Sequence, residues 1–500
     1  MLFWIVIGGG ILSFLASMGI GSNDAANAFS TSVGSKALTI KQAAGLAVIF
    51  ETSGAILMGS HVTDTIRKGI ADYSCFENEP ELLMYGCMWV IFSVFVWLFL
   101  ASYLEMPVST THSCVGGMIG MTIAIVGNDC VIWYKETDNF PFVGGVTGIV
   151  LSWFLSPIFS AIISSIIFSF TRFFVLKHKF EKKRLMFIYP FLVGTTLTIN
   201  SFFIIYKGAK GIGLNNTPIE QSIGISFAIG IGGAIIVLPF VPKICKFVEN
   251  KFNNLSLPSI NNEINNEINN EINNEINNNK KTYNINSNSQ LNIVKNLHIN
   301  AEKFDPKTEE VFKYLQIFTA CCDAFSHGAN DVANAVGPFA AIYLIYRENG
   351  DISKKVDMNE DAYWILGIGG IGIAFGLLIY GKKIIYAMGN KLCKITPSRG
   401  SCIELGSALV IIAGSRLKIP LSTTHCQVGA TIGVGLLENK SFKNIEGVNF
   451  YILRKIIFGW IITCIIVGLM AGLLTAQGIY APSVSNLINC TNNNLKFILK

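Results

Sequence analysis

The chain has 500 residues and a formal net charge of +6; 51% of it is hydrophobic and only 14% charged, with a mean hydropathy of +0.49. Soluble domains carry about 25% charged residues, so this chain has too few charges to cover a water-exposed surface. Apolar runs of about 20 residues recur along most of it, each long enough to cross a bilayer as a helix. Their continuity, without the alternation of transmembrane strands, excludes a β-barrel. The sequence reads as an all-α polytopic membrane protein.

Residues 1–34 form a first span, interrupted by the polar stretch Gly21-Ser22-Asn23-Asp24-Ala25-Ala26-Asn27. This span runs directly into that stretch, which argues against a cleavable signal peptide. Apolar runs follow at 42–62, 83–105 and 107–127. Only the Met106-Pro107 break separates the last two, so 83–127 is expected to be a helical hairpin turning inside the membrane. Further spans cover 141–170, 186–206 and 221–242.

Residues 243–312 differ in kind. They carry Asn-Asn-Glu-Ile four times in succession, from Asn261 to Ile276, and such a composition reads as a disordered linker. The apolar pattern resumes at 314–346, 362–388, 403–419, 420–437 and 452–478. The expected organisation is therefore a membrane half over 1–242, a linker over 243–312, a second membrane half over 313–480 and a tail over 481–500.

Basic residues concentrate in the loop at 171–184, in the linker, and at 382–399 and 440–455. The positive-inside rule makes these regions cytoplasmic. The loops at 64–81, 128–140 and 347–361 are richer in Asp and Glu and fall outside. These assignments agree only if 83–127 and 403–437 each enter and leave on one side, and they put both termini outside. Sequons at Asn215 and Asn489 then lie outside, and the one at Asn439 lies inside and silent. The twelve cysteines show no CxxC pair and no His-Cys cluster at metal spacing. Cys75, Cys130 and Cys490 fall in loops, which leaves a disulfide among them open, although their spacing does not support one.

Two polar motifs occur twice. Gly-x-Asn-Asp-x-x-Asn appears at 21–27 and at 328–334, and Pro-x-Ser-Thr-Thr-His at 107–112 and 420–425. The first Asn-Asp motif lies on a span entering the cell and the second on one leaving it. The halves are thus inverted repeats with discontinuous or re-entrant helices, the arrangement in which transporters build a midplane site. Asp24 and Asp331 would each cost several kcal/mol facing lipid, so they must face protein or water. Helix breaks at Gly21 and Gly328 would free backbone groups beside Asn23, Asn27, Asn330 and Asn334. Helix packing alone also uses Asn and small residues, but two inverted copies point to a pocket.

The second motif puts Ser109, Thr110 and Thr111, and Ser422, Thr423 and Thr424, at helix starts led by proline. Such N-termini suit an anion with several oxygens, although Ser and Thr also favour helix starts as ordinary caps. Glu51 and Glu404 are further carboxylates in apolar runs, and they are not repeat equivalents. Each suits a coupling cation or a proton. His112, His327 and His425 are read as hydrogen-bonding supports.

At these residues the sequence resembles the inorganic phosphate transporter (PiT) family of cation–phosphate symporters. The likeness covers 5–245 and 315–480 and includes both paired motifs, Phe-Glu-Thr at 50–52, Thr-Ile-Arg-Lys-Gly at 65–69 and Thr-Pro-Ser-Arg-Gly at 396–400. It implies about 12 membrane segments, outward termini and a large cytoplasmic loop. It also implies phosphate binding at Asn23, Asp24, Ser109, Thr110, Thr111, Asn330, Asp331, Ser422, Thr423 and Thr424. The cation sites expected beside them, for Na⁺ as co-transported ion, use Asn27, Glu51, Asn334 and Glu404. No cofactor and no nucleic acid are expected, and a homodimer is compatible with the chain. The Asn-Asn-Glu-Ile tract is not a family feature and resembles the low-complexity inserts of AT-rich protozoan parasites.

The motifs favour phosphate on physical grounds as well. They hold two aspartates and no Arg or Lys. A protonated phosphate can donate hydrogen bonds to the carboxylates while accepting from hydroxyls and helix starts, whereas sulfate cannot donate at neutral pH. The expected function is Na⁺-coupled phosphate symport in the plasma membrane by alternating access. Alternatives are proton coupling or sulfate as substrate on the same fold, a phosphate sensor, and an intramembrane serine hydrolase using Ser109 or Ser422 with a nearby His.

Overall fold

A computed structural model describes residues 3–137, 142–206, 214, 217–254, 294, 297–352, 358, 362–438 and 447–481. Helix α1 spans Phe3–Ile20 and widens into a π-helical turn at Gly21–Ala25. After a short turn at Ala26–Ala28, α2 spans Ser30–Gly34. Helix α3 (Ile40–Lys68) starts at a Thr39/Gln42 capping box, in which each side chain satisfies a free N–H of the other's backbone. Helices α4 (Pro80–Tyr103) and α5 (Thr110–Val126) form the first hairpin. They are followed by α6 (Gly145–Thr171), α7 (Glu181–Ile205), α8 (Ile219–Val237) and α9 (Phe240–Asn254). The second half holds α10 (Pro306–Arg347), α11 (Tyr363–Tyr380), α12 (Lys382–Lys391), α13 (Pro397–Arg416), α14 (Thr423–Leu436) and α15 (Phe450–Tyr480).

Among the described residues, eight helical segments are long and apolar enough to cross a membrane. Helices α5, α10, α13 and α14 join the same bundle by packing against them. At 17 and 14 residues, α5 and α14 rise only about 25 and 21 Å, less than the ~30 Å apolar core. Both are thus the short arms of their hairpins.

The halves exchange contacts reciprocally. Helix α5 packs on α15 while α14 packs on α6; α1 packs on α4 while α10 packs on α13; and α3 packs on α10 while α11 packs on α1. A twofold axis between two like units produces this pattern. Helices α7, α8 and α9 are additions to the first unit and pack on one another.

The expected helix breaks at Gly21 and Gly328 do not form. In the first copy the chain passes through the π turn at Gly21–Ala25 and bends only at Phe29. In the second, α10 runs unbroken for 42 residues. The glycines serve close approach instead: a Cβ on Gly328 would collide with the Glu51 carbonyl, and one on Gly21 with the Ile373 carbonyl. Small residues bring membrane helices together in this way.

A disulfide joins Cys75 to Cys130, a pairing that their place in loops left open and that spacing did not mark. Spacing along the chain failed because an antiparallel bridge, Ala71 with Val131, aligns the two loops in space. The two loops therefore share one face. The basic regions gather on another. There Glu302 holds Arg172 at 2.6 Å and Lys177 at 2.7 Å, and buried Arg399 pairs with Glu438 at 2.8 Å while donating to the Glu302 carbonyl at 2.7 Å. Burial pushes the Glu302 carboxyl up, but Lys177 and Arg172 outweigh it and hold it below the usual range. The linker expected over 243–312 is helical at its ends, since α9 reaches Asn254 and α10 starts at Pro306. Its Asn-Asn-Glu-Ile tract, the tail beyond residue 481 and Asn215, Asn439, Cys490 and Asn489 lie outside the described residues.

Two outcomes check this packing. Peptide mapping of unreduced protein recovers the Cys75 and Cys130 peptides as one cross-linked species, and separate peptides would contradict the loop pairing. Gly328→Ala destabilises the protein by about 1–3 kcal/mol through overpacking, read as a lower unfolding temperature. Gly45→Ala, where a Cβ meets open space, leaves that temperature unchanged.

Candidate functional site

The centre lies where α5 and α14 begin. Ser109 caps α5 by accepting from the His112 N–H, and Ser422 caps α14 by accepting from the His425 N–H, both at 3.3 Å. The two caps touch: Ser422 Oγ donates to Ser109 Oγ at 2.8 Å. Two helix starts of opposite repeats thus meet head to head, with their positive ends and hydroxyls converging.

The aspartates hold this meeting together across the repeats. Asp24 Oδ2 accepts from the Thr110 N–H at 3.0 Å, and Asp24 Oδ1 accepts from Thr424 Oγ1 of the other repeat. Asp331 Oδ2 accepts from Thr423 Oγ1 at 2.5 Å and from Thr110 Oγ1 at 3.4 Å. Asn334 Nδ2 donates to Thr110 Oγ1 at 3.1 Å, Thr111 Oγ1 at 3.3 Å and Asp331 Oδ1 at 3.4 Å. Thr111 Oγ1 donates to the Leu421 carbonyl at 2.8 Å. All of these side chains are buried.

Asn23 and Asn330 play matching structural parts. Asn23 Nδ2 donates to Ser102 Oγ at 3.2 Å and to the Met106 carbonyl at 3.0 Å, and Asn23 Oδ1 accepts from the Val108 N–H at 2.9 Å. Asn330 Nδ2 donates to Ser415 Oγ at 3.1 Å. Each pins its motif helix to the turn before a Ser-Thr-Thr start. Asn27 is buried, and neither atom of its carboxamide has a protein partner. A buried carboxamide of this kind is suited to a ligand.

The glutamates sit apart. Glu51 Oε2 contacts His327 Nδ1 at 2.8 Å, and His327 Nε2 lies 3.1 Å from Asp331 Oδ2. His327 therefore bridges Glu51 to the centre rather than merely propping a helix. Glu404 forms a second cluster, accepting from Thr31 and Thr319 at 2.6 Å each, from Ser32, and from Gln316 at 3.1 Å. No signal in the sequence marked Thr31, Ser32, Gln316 or Thr319, because they belong to no repeated motif.

His112 and His425 are supports of a definite kind. The Nδ1 atoms face the Trp460 and Trp153 carbonyls at 2.9 and 2.8 Å. The rings lie on Trp153 and Trp460, tilted by 34° and 30°, with centroids 3.6 Å apart in both cases. Ser109 and Ser422 bond each other and not these rings, so no serine–histidine dyad forms.

A model of the phosphate transporter family matches residues 20–471. A "Putative phosphate permease" of Haemophilus influenzae is 32% identical over 460 residues, covering 92% of this chain and 93% of that one. A "Sodium-dependent phosphate transporter 1" of Rattus norvegicus is 27% identical, covering 95% of each. A solved structure described as "The sodium-dependent phosphate transporter" superposes with a TM-score of 0.73 at 30% identity, over 94% of this chain and 98% of that one. The fold, the paired motifs meeting at its centre and these likenesses lead to one conclusion: the chain belongs to the phosphate transporter family, which is a family of permeases and not of enzymes.

Proposed function

We propose that this protein is a Na⁺-coupled inorganic phosphate symporter of the plasma membrane that works by alternating access. The observation that carries the reading is the meeting of the two Ser-Thr-Thr helix starts, 2.8 Å apart at Ser109 and Ser422, between Asp24 and Asp331. Hydroxyls and N–H groups offer donors to phosphate oxygens, and the carboxylates accept from its protonated oxygens. On this reading phosphate contacts Asn23, Asp24, Ser109, Thr110, Thr111, Asn330, Asp331, Ser422, Thr423 and Thr424. To do so it displaces the Thr423–Asp331 and Thr424–Asp24 hydrogen bonds.

The site gathers carboxylates without Lys or Arg, so bringing in an anion favours bringing in cations. Asn27, Glu51, Asn334 and Glu404 supply oxygen ligands of the type hard cations take. Cation and phosphate then promote each other's binding, a coupling that is reciprocal. The sodium dependence in the printed names of the rat relative and the solved structure supports this choice of ion. Reciprocal packing of the halves supports one unit rocking against the other, and inverted orientation would make the two faces equivalent for access. The shared face of the acidic loops that carry Cys75 and Cys130 supports outward termini.

Proton coupling is a second reading, favoured by the His327 bridge between Glu51 and Asp331. Phosphate uptake into proteoliposomes decides. Uptake driven by a Na⁺ gradient, lost when choline replaces Na⁺ at fixed pH and unaffected by excess sulfate, is the expected result. Uptake that follows a pH gradient without Na⁺ would select the proton instead. Asp24→Asn lowers uptake at least roughly tenfold, about 1.4 kcal/mol or more, with surface expression intact. Wild-type uptake in that variant would remove the central site from the mechanism.

A further inference from the structure

The twofold relation lets each half serve as a control for the other, and one pair of equivalent places differs sharply. In the first repeat, α4 lies against α15, and Trp97 fills the contact with its ring N–H donating to Thr463 Oγ1 at 2.9 Å. Trp97 is 5% exposed. The equivalent contact is α13 against α6. The register follows from Ser102 with Ser415 and from Trp460 with Trp153, which make matching hydrogen bonds. It puts Val410 at the place of Trp97 and Ser156 at the place of Thr463. An indole is thereby replaced by an isopropyl group, and its acceptor by a smaller hydroxyl.

A cavity of about 210 Å³ occupies this place, lined by Leu151, Leu155, Phe159 and Ile163 of α6 and by Val410 and Ala413 of α13. It follows roughly 22 Å of α6. Leu151 and Phe159 on its wall are 39% and 47% exposed, so it opens sideways to the bilayer. Gly148, Leu417 and Ile419 line both this cavity and a second one of about 370 Å³. The wall of the second carries Lys68, Lys135, Lys418 and Asp64, and the Asp64 carboxylate already accepts from Arg67 at 3.0 Å. Basic charge thus stands at the end of an apolar slot, on the face of the Cys75–Cys130 disulfide.

We propose that these joined cavities are a binding site for one anionic phospholipid, with an acyl chain between α6 and α13 and the headgroup phosphate among Lys68, Lys135 and Lys418. An apolar slot open to lipid takes a chain at no desolvation cost, and the three lysines lining the cavity at its end attract the negative charge of a phosphate headgroup. The occupant would lie against Leu421, one residue from the Ser422 cap. Ser152 Oγ, on the slot wall, donates to the Pro420 carbonyl at 3.4 Å. The lipid therefore props the turn that presents the second Ser-Thr-Thr start.

Binding is read independently of transport. The full chain in phosphatidylcholine nanodiscs is irradiated with a phosphatidylglycerol analogue carrying a diazirine on its acyl chain, and the labelled peptides are mapped. Label is expected within 148–163 and 409–421, competed roughly tenfold better by phosphatidylglycerol than by phosphatidylcholine, a difference of about 1.4 kcal/mol. Val410→Trp with Ser156→Thr copies the filled contact of the other repeat, and label falls there at least roughly tenfold. Lys135→Glu with Lys418→Glu abolishes the headgroup preference. Label elsewhere, unchanged label in the filled variant, or equal competition by phosphatidylcholine would overturn the proposal. Competition by inorganic phosphate would also overturn it, by showing that the basic cavity receives the free ion.

Discussion

Two buried carboxylates set the terms for the rest of this structure. Asp24 and Asp331 lie in the membrane interior, where an unpaired charge costs several kcal/mol. Each is satisfied by donors that include a threonine hydroxyl from the other repeat's Ser-Thr-Thr start: Asp24 by Thr424 and Asp331 by Thr110. Neither half can close its own site. The short-armed hairpins, the proline-led starts and the glycine contacts at Gly21 and Gly328 all bring these groups within reach.

The twofold arrangement is exact enough to expose where it fails. Gly21 packs on the Ile373 carbonyl as Gly328 packs on that of Glu51, so Ile373 occupies the place of Glu51 in the other repeat. Ile91 likewise stands where Glu404 does. The Glu404 cluster of Thr31, Ser32, Gln316 and Thr319 corresponds to Pro338, Phe339, Gly9 and Leu12, an apolar set. A carboxylate with several hydroxyl partners in one repeat and apolar packing in the other give equivalent places of the two repeats different chemistry. Val410, at the place of Trp97, is a third such departure.

Away from the centre, ion pairs take over. Glu302, from the end of the linker, ties Arg172 and Lys177 of the first half, and its carbonyl accepts from Arg399 of the second. The linker's end is thus part of the basic face, although its composition marked the whole segment as unstructured.

How much of this was legible beforehand divides along physical lines. Membrane class, the recurrent apolar spans, the two hairpins and the paired motifs depend on local composition, length and repetition, all of which the chain displays directly. The central residues were legible because polar groups in apolar runs demand an explanation. What the chain did not display are contacts between residues hundreds of positions apart. The unbroken course of α10 through Gly328, the Cys75–Cys130 bridge, the His327 link from Glu51 to Asp331 and the hydroxyl cage of Glu404 all arise from packing. Glycine has the same identity whether it breaks a helix or lets two approach, and serine whether it caps a helix or holds a carboxylate. Only the tertiary structure, by setting which surface lies opposite, decides between them.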